Sequence, residues 1–260
     1  MNVSPDQKQP SIFHRKDGVN IAYHFSSGKS PGVIFLGGFQ SDMEGTKAMA
    51  LEQWCIEHGR AFLRFDYQGH GTSSGRFEEG SIGEWAEDAI SVLDHLTKGP
   101  QVLVGSSMGG WIMLLVALAR PDRVSALLGL AAAPDFTEDL MYKDLTEDQR
   151  AELNANGRVV LPSEYDTDDP YIITKKLIED GKNNLLLRGP LDISVPVRLI
   201  QGMCDADVPW QTALKIQDAL ATTDVEIQFV KNGDHRLSES PDLLRLNRTL
   251  EHLLKDVETP

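Results

Sequence analysis

Two cysteines, Cys55 and Cys204, are too few for a disulfide framework and lack the clustered spacing of a zinc site, so a reducing compartment is the expectation. Basic residues are also scarce: 25 Lys and Arg stand against 39 Asp and Glu, for a formal net charge of -14. Such a surface repels phosphate backbones and anionic headgroups beyond short range, which excludes nucleic acid as an expected partner. Long hydrophobic runs are missing too. The longest, WIMLLVALA from Trp111 to Ala119, falls far short of the roughly 20 residues that cross a bilayer, so no stable membrane insertion is expected and the run reads as a buried helix. No internal repeat or low-complexity tract occurs. The opening residues, MNVSPDQKQP, show neither a secretory nor an Arg-rich transit pattern, and a cytoplasmic location is expected, mitochondrial only for a processed form.

What is present is the composition of an ordinary folded protein, 41% hydrophobic and 25% charged, in a chain of 260 residues that fits one domain over 1–260. Short strand-like stretches at Ser11 to His14 and Val19 to Phe25 precede the turn SSGKSPG. From there apolar strands alternate with helices: Val33 to Leu36, Glu44 to Glu57, Ala61 to Tyr67, Ile82 to Leu96, Val102 to Gly105, Met108 to Ala119, Val124 to Ala131. This alternation predicts an α/β fold with a mostly parallel central sheet and helices on both faces. The rhythm breaks over 135–190, where the charged, helix-like FTEDLMYKDLTEDQRAELNANG is followed by VVLPSEY and PYIITKKLIEDG. That stretch reads as a lid insertion over the sheet. Alternation resumes with VRLIQGM, TALKIQDALA, VEIQFVKN and a last helix from about Pro241 to Val257.

The segment QVLVGSSMGGWIMLLVALA joins an apolar strand to an apolar helix through Gly105-Ser106-Ser107-Met108-Gly109, a GxSxG match centred on Ser107. Centring it on Ser106 would put Val104 and Met108 where the sharp turn leaves no room for a side chain. A serine hydroxyl becomes a nucleophile only when a histidine takes its proton, and that histidine needs a carboxylate to hold its tautomer. The chain order Ser, Asp, His leaves His235 and His252 as bases; His252 has amphipathic-helix spacing, whereas His235 lies in the loop KNGDHRLSE after a strand. For the acid, LIQGMCDADVPW offers Asp205 and Asp207. The position four residues before the proline selects Asp205, with a swap to Asp207 left open and Asp234 read as a loop-ordering residue. The backbone N–H groups of Met108 and Phe39, the latter after Gly37-Gly38, are the candidate donors to a developing oxyanion. These Asp and His positions lack the spacing of paired ligands, so no metal is expected, and no organic cofactor.

Two phosphate-loop lookalikes fail on spacing. Gly28-Lys29-Ser30 has Tyr23 where a P-loop needs glycine, and Gly69-His70-Gly71 is followed by its next glycine only at Gly75. FDYQGHGTSSG reads instead as the turn after a strand, tied by Asp66 and His70.

With these motifs placed, the sequence resembles the α/β-hydrolase superfamily from about Val33 to the last helix. FLGGFQSDMEGTKAMALEQWC, RAFLRFDYQGHGTSSG, VLVGSSMGGWIMLL and GLAAAPDFTEDL look like the α/β-hydrolase domain-containing protein 10 subfamily. The resemblance implies a Ser-His-Asp esterase or thioesterase acting on small or protein-attached acyl groups, since animal members are known as palmitoyl-protein thioesterases and acyl-glucuronide esterases. It carries the triad roles onto Ser107, Asp205 and His235 and the oxyanion roles onto Phe39 and Met108. Apolar residues of the insertion, Leu140, Met141, Tyr142, Val159, Val160, Tyr171, Ile172 and Ile173, are expected either to line an acyl groove or to form the insertion's own core. The rival readings are cleavage of another bond or acyl transfer on the same fold, and a non-catalytic receptor. A monomer is the default.

Overall fold

Apolar runs of strand and helix length cannot bury their faces singly. In the computed structural model, which describes residues 9–161 and 171–258, they do so by stacking helices on both sides of one sheet. The strands are β1 (Ser11–His14), β2 (Asn20–Ser26), β3 (Lys29–Leu36), β4 (Arg60–Phe65), β5 (Gln101–Ser106), β6 (Val124–Leu130), β7 (Arg158–Leu161), β8 (Tyr171–Thr174), β9 (Val197–Gly202) and β10 (Val225–Val230). The helices are α1 (Thr46–Glu57), α2 (Ile82–Leu96), α3 (Met108–Ala119), α4 (Glu147–Asn156), α5 (Lys175–Asn183), α6 (Gln211–Ala219) and α7 (Ser240–Glu258). The eight-stranded sheet runs β1-β2-β4-β3-β5-β6-β9-β10. From β4 to β10 all neighbours are parallel; β2 joins β4, and β1 joins β2, in antiparallel pairs.

Period-two alternation sends successive strand residues to opposite layers. Val33, Phe35, Val102 and Val104 pack with Leu51 and Cys55 of α1 and with Leu246, Leu250 and Leu253 of α7. Ile34, Leu36 and Leu103 face the other way, onto Trp85 of α2 and Trp111 and Ile112 of α3. Every residue of β5 is buried, as expected of a strand covered on both faces, and removing one such Leu side chain would cost about 2–5 kcal/mol. The serine turn therefore sits at the end of a strand buried along its whole length.

Two local expectations shift. β3 starts at Lys29, inside the expected turn, and its register with β4 slips between Lys29 and Val33, around Pro31, which has no N–H to give a ladder. The expected charged helix after Phe136 is two pieces. A π-helical turn covers Thr137–Tyr142, and α4 starts afresh because Thr146 and Gln149 form a reciprocal capping box; Gly157 closes it with φ +73°.

Residues of the insertion build a small core of their own, with β7 and β8 paired antiparallel over Leu145, Leu153, Val159, Ile173 and Ile178. One carboxylate clamps the two ends of the insertion. Asp135, fully buried at φ +62°, accepts the N–H groups of Leu186 at 2.7 Å and Leu187 at 2.8 Å and the Arg188 guanidinium at 3.1 Å. Helix α5 is fastened to the body. Asp180 accepts the Gly83 N–H at 2.7 Å, Lys176 pairs with Glu84 at 2.7 Å, and the Trp111 indole donates to the Asn184 carbonyl at 3.0 Å. The PSEY part of VVLPSEY and the first eight residues lie outside the described residues.

Candidate active site

Strand β5 ends at Ser106 and α3 begins at Met108, so Ser107 alone makes the turn, and it does so at φ +53° and ψ −118°. That conformation is costly for a residue with a side chain and persists only where its surroundings fix it. They do so here. The Ser107 N–H donates to the Leu130 carbonyl at 2.9 Å, and the Ser107 carbonyl accepts from Gly110 at 2.8 Å and Ala133 at 3.1 Å. A Cβ on Gly105 would collide with the Gly109 carbonyl, and one on Gly109 would collide with the Leu36 carbonyl, which is the steric reason both flanks are glycine.

The loops after β9 and β10 bring the other two residues to this turn. Ser107 Oγ lies 3.0 Å from His235 Nε2, and His235 Nδ1 lies 2.9 Å from Asp205 Oδ2. A carboxylate can only accept, so Nδ1–H donates to Asp205, and Nε2 is left to accept from the serine hydroxyl. The Asp205 side chain is fully covered and saturated with donors: Gln201 Nε2 at 3.0 Å on Oδ2, and the N–H groups of Asp207 at 2.9 Å and Val208 at 2.8 Å on Oδ1. Gln201, buried at the end of β9, is a support that sequence reasoning did not find; a glutamine inside an apolar strand, VRLIQG, was the available signal.

Asp207 lies beside this pair. Ligand atoms of Asp205, Asp207 and His235 are within 4.8 Å of one another, the one such group of metal-ligating side chains among the described residues. Both oxygens of Asp205 and both ring nitrogens of His235 are already committed to hydrogen bonds, so the donor set fits a proton-relay chain better than an ion. Asp234 accepts the Leu237 N–H at 2.9 Å and orders the loop. His252 lies on α7, as its spacing predicts.

Gly38 stands over the serine, where a Cβ would come 3.5 Å from Ser107 Cβ. Neither the Phe39 N–H nor the Met108 N–H has an acceptor among the described residues. The Phe39 ring is wedged between body and insertion, with ring centroids 4.8 Å from Phe77, 6.0 Å from Trp85, 5.7 Å from Phe136 and 6.1 Å from Tyr171. His70 supports this wedge from behind, edge-on to Phe77 and Trp85, and burial pulls its pKa down to about 4. Asp66 ties the same turn by accepting the N–H groups of Met43 and Thr72.

A cleft of about 600 Å³ opens onto Ser107 and His235, with Phe39, Phe136, Leu140, Met141 and Tyr171 among its walls. Three of the eight apolar insertion residues singled out in the sequence therefore line it. Val159 and Ile173 are buried in the insertion's core instead, and Val160 is exposed.

Residues 32–175 match the sequence pattern of the family described as Serine aminopeptidase, S33. The proteins named Palmitoyl-protein thioesterase ABHD10, mitochondrial, from Bos taurus and Homo sapiens are each 41% identical to this chain over 249 residues, covering 96% of it and 81% of their own length. The solved structure of α/β-hydrolase domain-containing protein 10 from mouse superimposes with a TM-score of 0.90 at 40% identity, over 96% of this chain and all of that one. Est1E from Butyrivibrio proteoclasticus, with a TM-score of 0.79 at 20% identity, shares the fold. These relatives correct one expectation. A cytoplasmic location does not stand beside curated relatives named as mitochondrial, because the composition of a few terminal residues bears on a leader and not on a compartment. Among the described residues no helix is long and apolar enough to cross a membrane.

Proposed function

The chain belongs to the α/β-hydrolase superfamily, as a serine hydrolase of the family that contains the ABHD10 proteins, and from that premise we propose that it cleaves acyl thioesters and carboxylic esters with Ser107 as nucleophile. The observation that carries this reading is the unbroken chain from a strained serine through His235 to Asp205, at 3.0 Å and 2.9 Å. In the first half-reaction Ser107 Oγ bonds to the acyl carbon while its proton passes to His235 Nε2. The leaving thiol or alcohol departs with that proton. Water then attacks the acyl-enzyme, gives its proton to Nε2, and Ser107 recovers it as the carboxylic acid is released. Asp205 stays ionised and holds the imidazolium. The N–H groups of Phe39 and Met108 receive the charge on the carbonyl oxygen; two such donors supply several kcal/mol of the barrier reduction.

Residues 135–190 act as the lid, and Phe136, Leu140, Met141 and Tyr171 offer an apolar wall for an acyl chain. The names of the ABHD10 relatives make a palmitoyl thioester the leading substrate. The test is a series of acyl thioesters, aryl esters and acyl glucuronides of graded chain length, with fluorophosphonate labelling in parallel. Labelling lost in Ser107→Ala and kept in Ser106→Ala, with turnover favouring long acyl thioesters, is the expected result. Labelling that survives Ser107→Ala would overturn the nucleophile; a preference for short chains would overturn the acyl wall.

A further inference from the structure

Lys47 is the second residue of α1, just beyond the loop that carries Phe39, and its ammonium donates to the backbone carbonyl of Arg236, the residue that follows His235. One side chain thus ties the start of α1 to the His235 loop across 189 positions of sequence, and it does so on the wall of the cleft. The His235 loop spans 231–239, between β10 and α7. Before the histidine it is tied by the Cys204 N–H on the Gly233 carbonyl at 2.9 Å and by the Gly233 N–H on the Val230 carbonyl at 3.0 Å. After it, Leu237 is plugged into the core at φ +45°. Between these anchors Lys47 holds the Arg236 carbonyl, and Asp234 accepts the Leu237 N–H at 2.9 Å.

We infer that Lys47 is a positioning residue for catalysis, which sets the His235 imidazole over Ser107 by gripping the next peptide from the start of α1. The inference rests on His235 being the base. A hydrogen bond from a cation is roughly twice as strong as a neutral one, so the grip depends on the charge. Burial lowers the Lys47 pKa to about 8. Asp234 and Asp242 raise it and Arg236 lowers it; these are the charged groups that face it from the base loop and from α7. Above that pH the ammonium is lost and the bond weakens.

The experiment measures kcat and KM on one acyl thioester from pH 6 to 10 for the wild type, Lys47→Met, Lys47→Arg and His235→Ala. In the wild type, kcat is expected to fall as pH rises through about 8. Lys47→Met should have kcat lowered about tenfold with KM unchanged, in line with the cost of a sub-ångström misplacement. That variant should have no limb near pH 8. Lys47→Arg should recover most of kcat, with the limb moved out of range because guanidinium does not deprotonate there. Lys47→Met within twofold of wild type, a loss confined to KM, or a limb that survives in Lys47→Arg would each overturn the inference. The last holds even if Lys47→Met fails to fold. An active His235→Ala would instead overturn the assignment of the base; an inactive one with Lys47→Met at wild-type rate leaves the base standing and removes Lys47.

Discussion

Around Ser107 each neighbour is fixed by backbone: the hydroxyl is aimed by a strand end, a helix start and carbonyls that tolerate no extra carbon. Across the cleft, the insertion is held by side chains: the Asp135 clamp, the Asp180 and Lys176 contacts to α2, and a five-residue core under a short hairpin. The first arrangement has one geometry. The second rests on separate side-chain contacts. The difference teaches how the proposed activity would divide: bond cleavage at the sheet edge, and choice of acyl chain at the insertion.

Variants that separate the two halves sharpen that contrast. Asp205→Asn would give His235 the wrong tautomer and lower kcat roughly a thousandfold to ten-thousandfold, while Asp207→Asn should stay within about threefold. Steady-state kinetics of both variants checks this, and the reverse ranking would move the acid to Asp207. The next effect concerns stability. His70 is neutral in the fold, with a pKa near 4 against 6.5 unfolded. The unfolded chain therefore binds the extra proton, and stability that is full above pH 6.5 drains away by about 3 kcal/mol as pH falls toward 4. Urea midpoints across that range should slope less in His70→Gln than in the wild type; equal slopes would show that His70 carries no such linkage. The smallest effect is on selection. Tyr171→Ala should lower kcat/KM for long acyl chains roughly fivefold, or about 1 kcal/mol, and leave acetyl esters nearly unchanged. If both substrates suffered alike, the division of labour between sheet and insertion would be wrong.

Sequence reasoning reached the elbow because its constraints are local. Strand, turn and helix are contiguous at Val102 to Ala119, and the bounds Ile82–Leu96 and Met108–Ala119 follow from periodicity alone. That His235 and Asp205 would meet Ser107 was legible through chain order, the loop position of His235 and the spacing of Asp205 before Pro209. The insertion was legible only as an interruption, since alternation alone does not divide its apolar residues between cleft and core: Tyr171 and Ile173 share one face of β8, yet Tyr171 at the strand start lines the cleft while Ile173 is buried. The break at Thr146 was available as T-x-x-Q, a capping-box spacing inside a continuous charged run. Lys47 was out of reach, because it acts on a loop 189 positions away that only the folded sheet brings near, whereas Gln201, four residues before Asp205, left its signal as a glutamine inside an apolar strand.

The ring of Phe39 has a further meaning for the reaction. It leans on Tyr171 and Phe136 from the insertion and on Phe77 and Trp85 from the body, while the amide of the same residue is the proposed donor to the reacting carbonyl. A guest that crowds or leaves empty the space beneath Tyr171 bears on that ring, and through it on the amide. Fatty chains of unequal length would then differ in how fast they turn over once bound, and not merely in how tightly they are held.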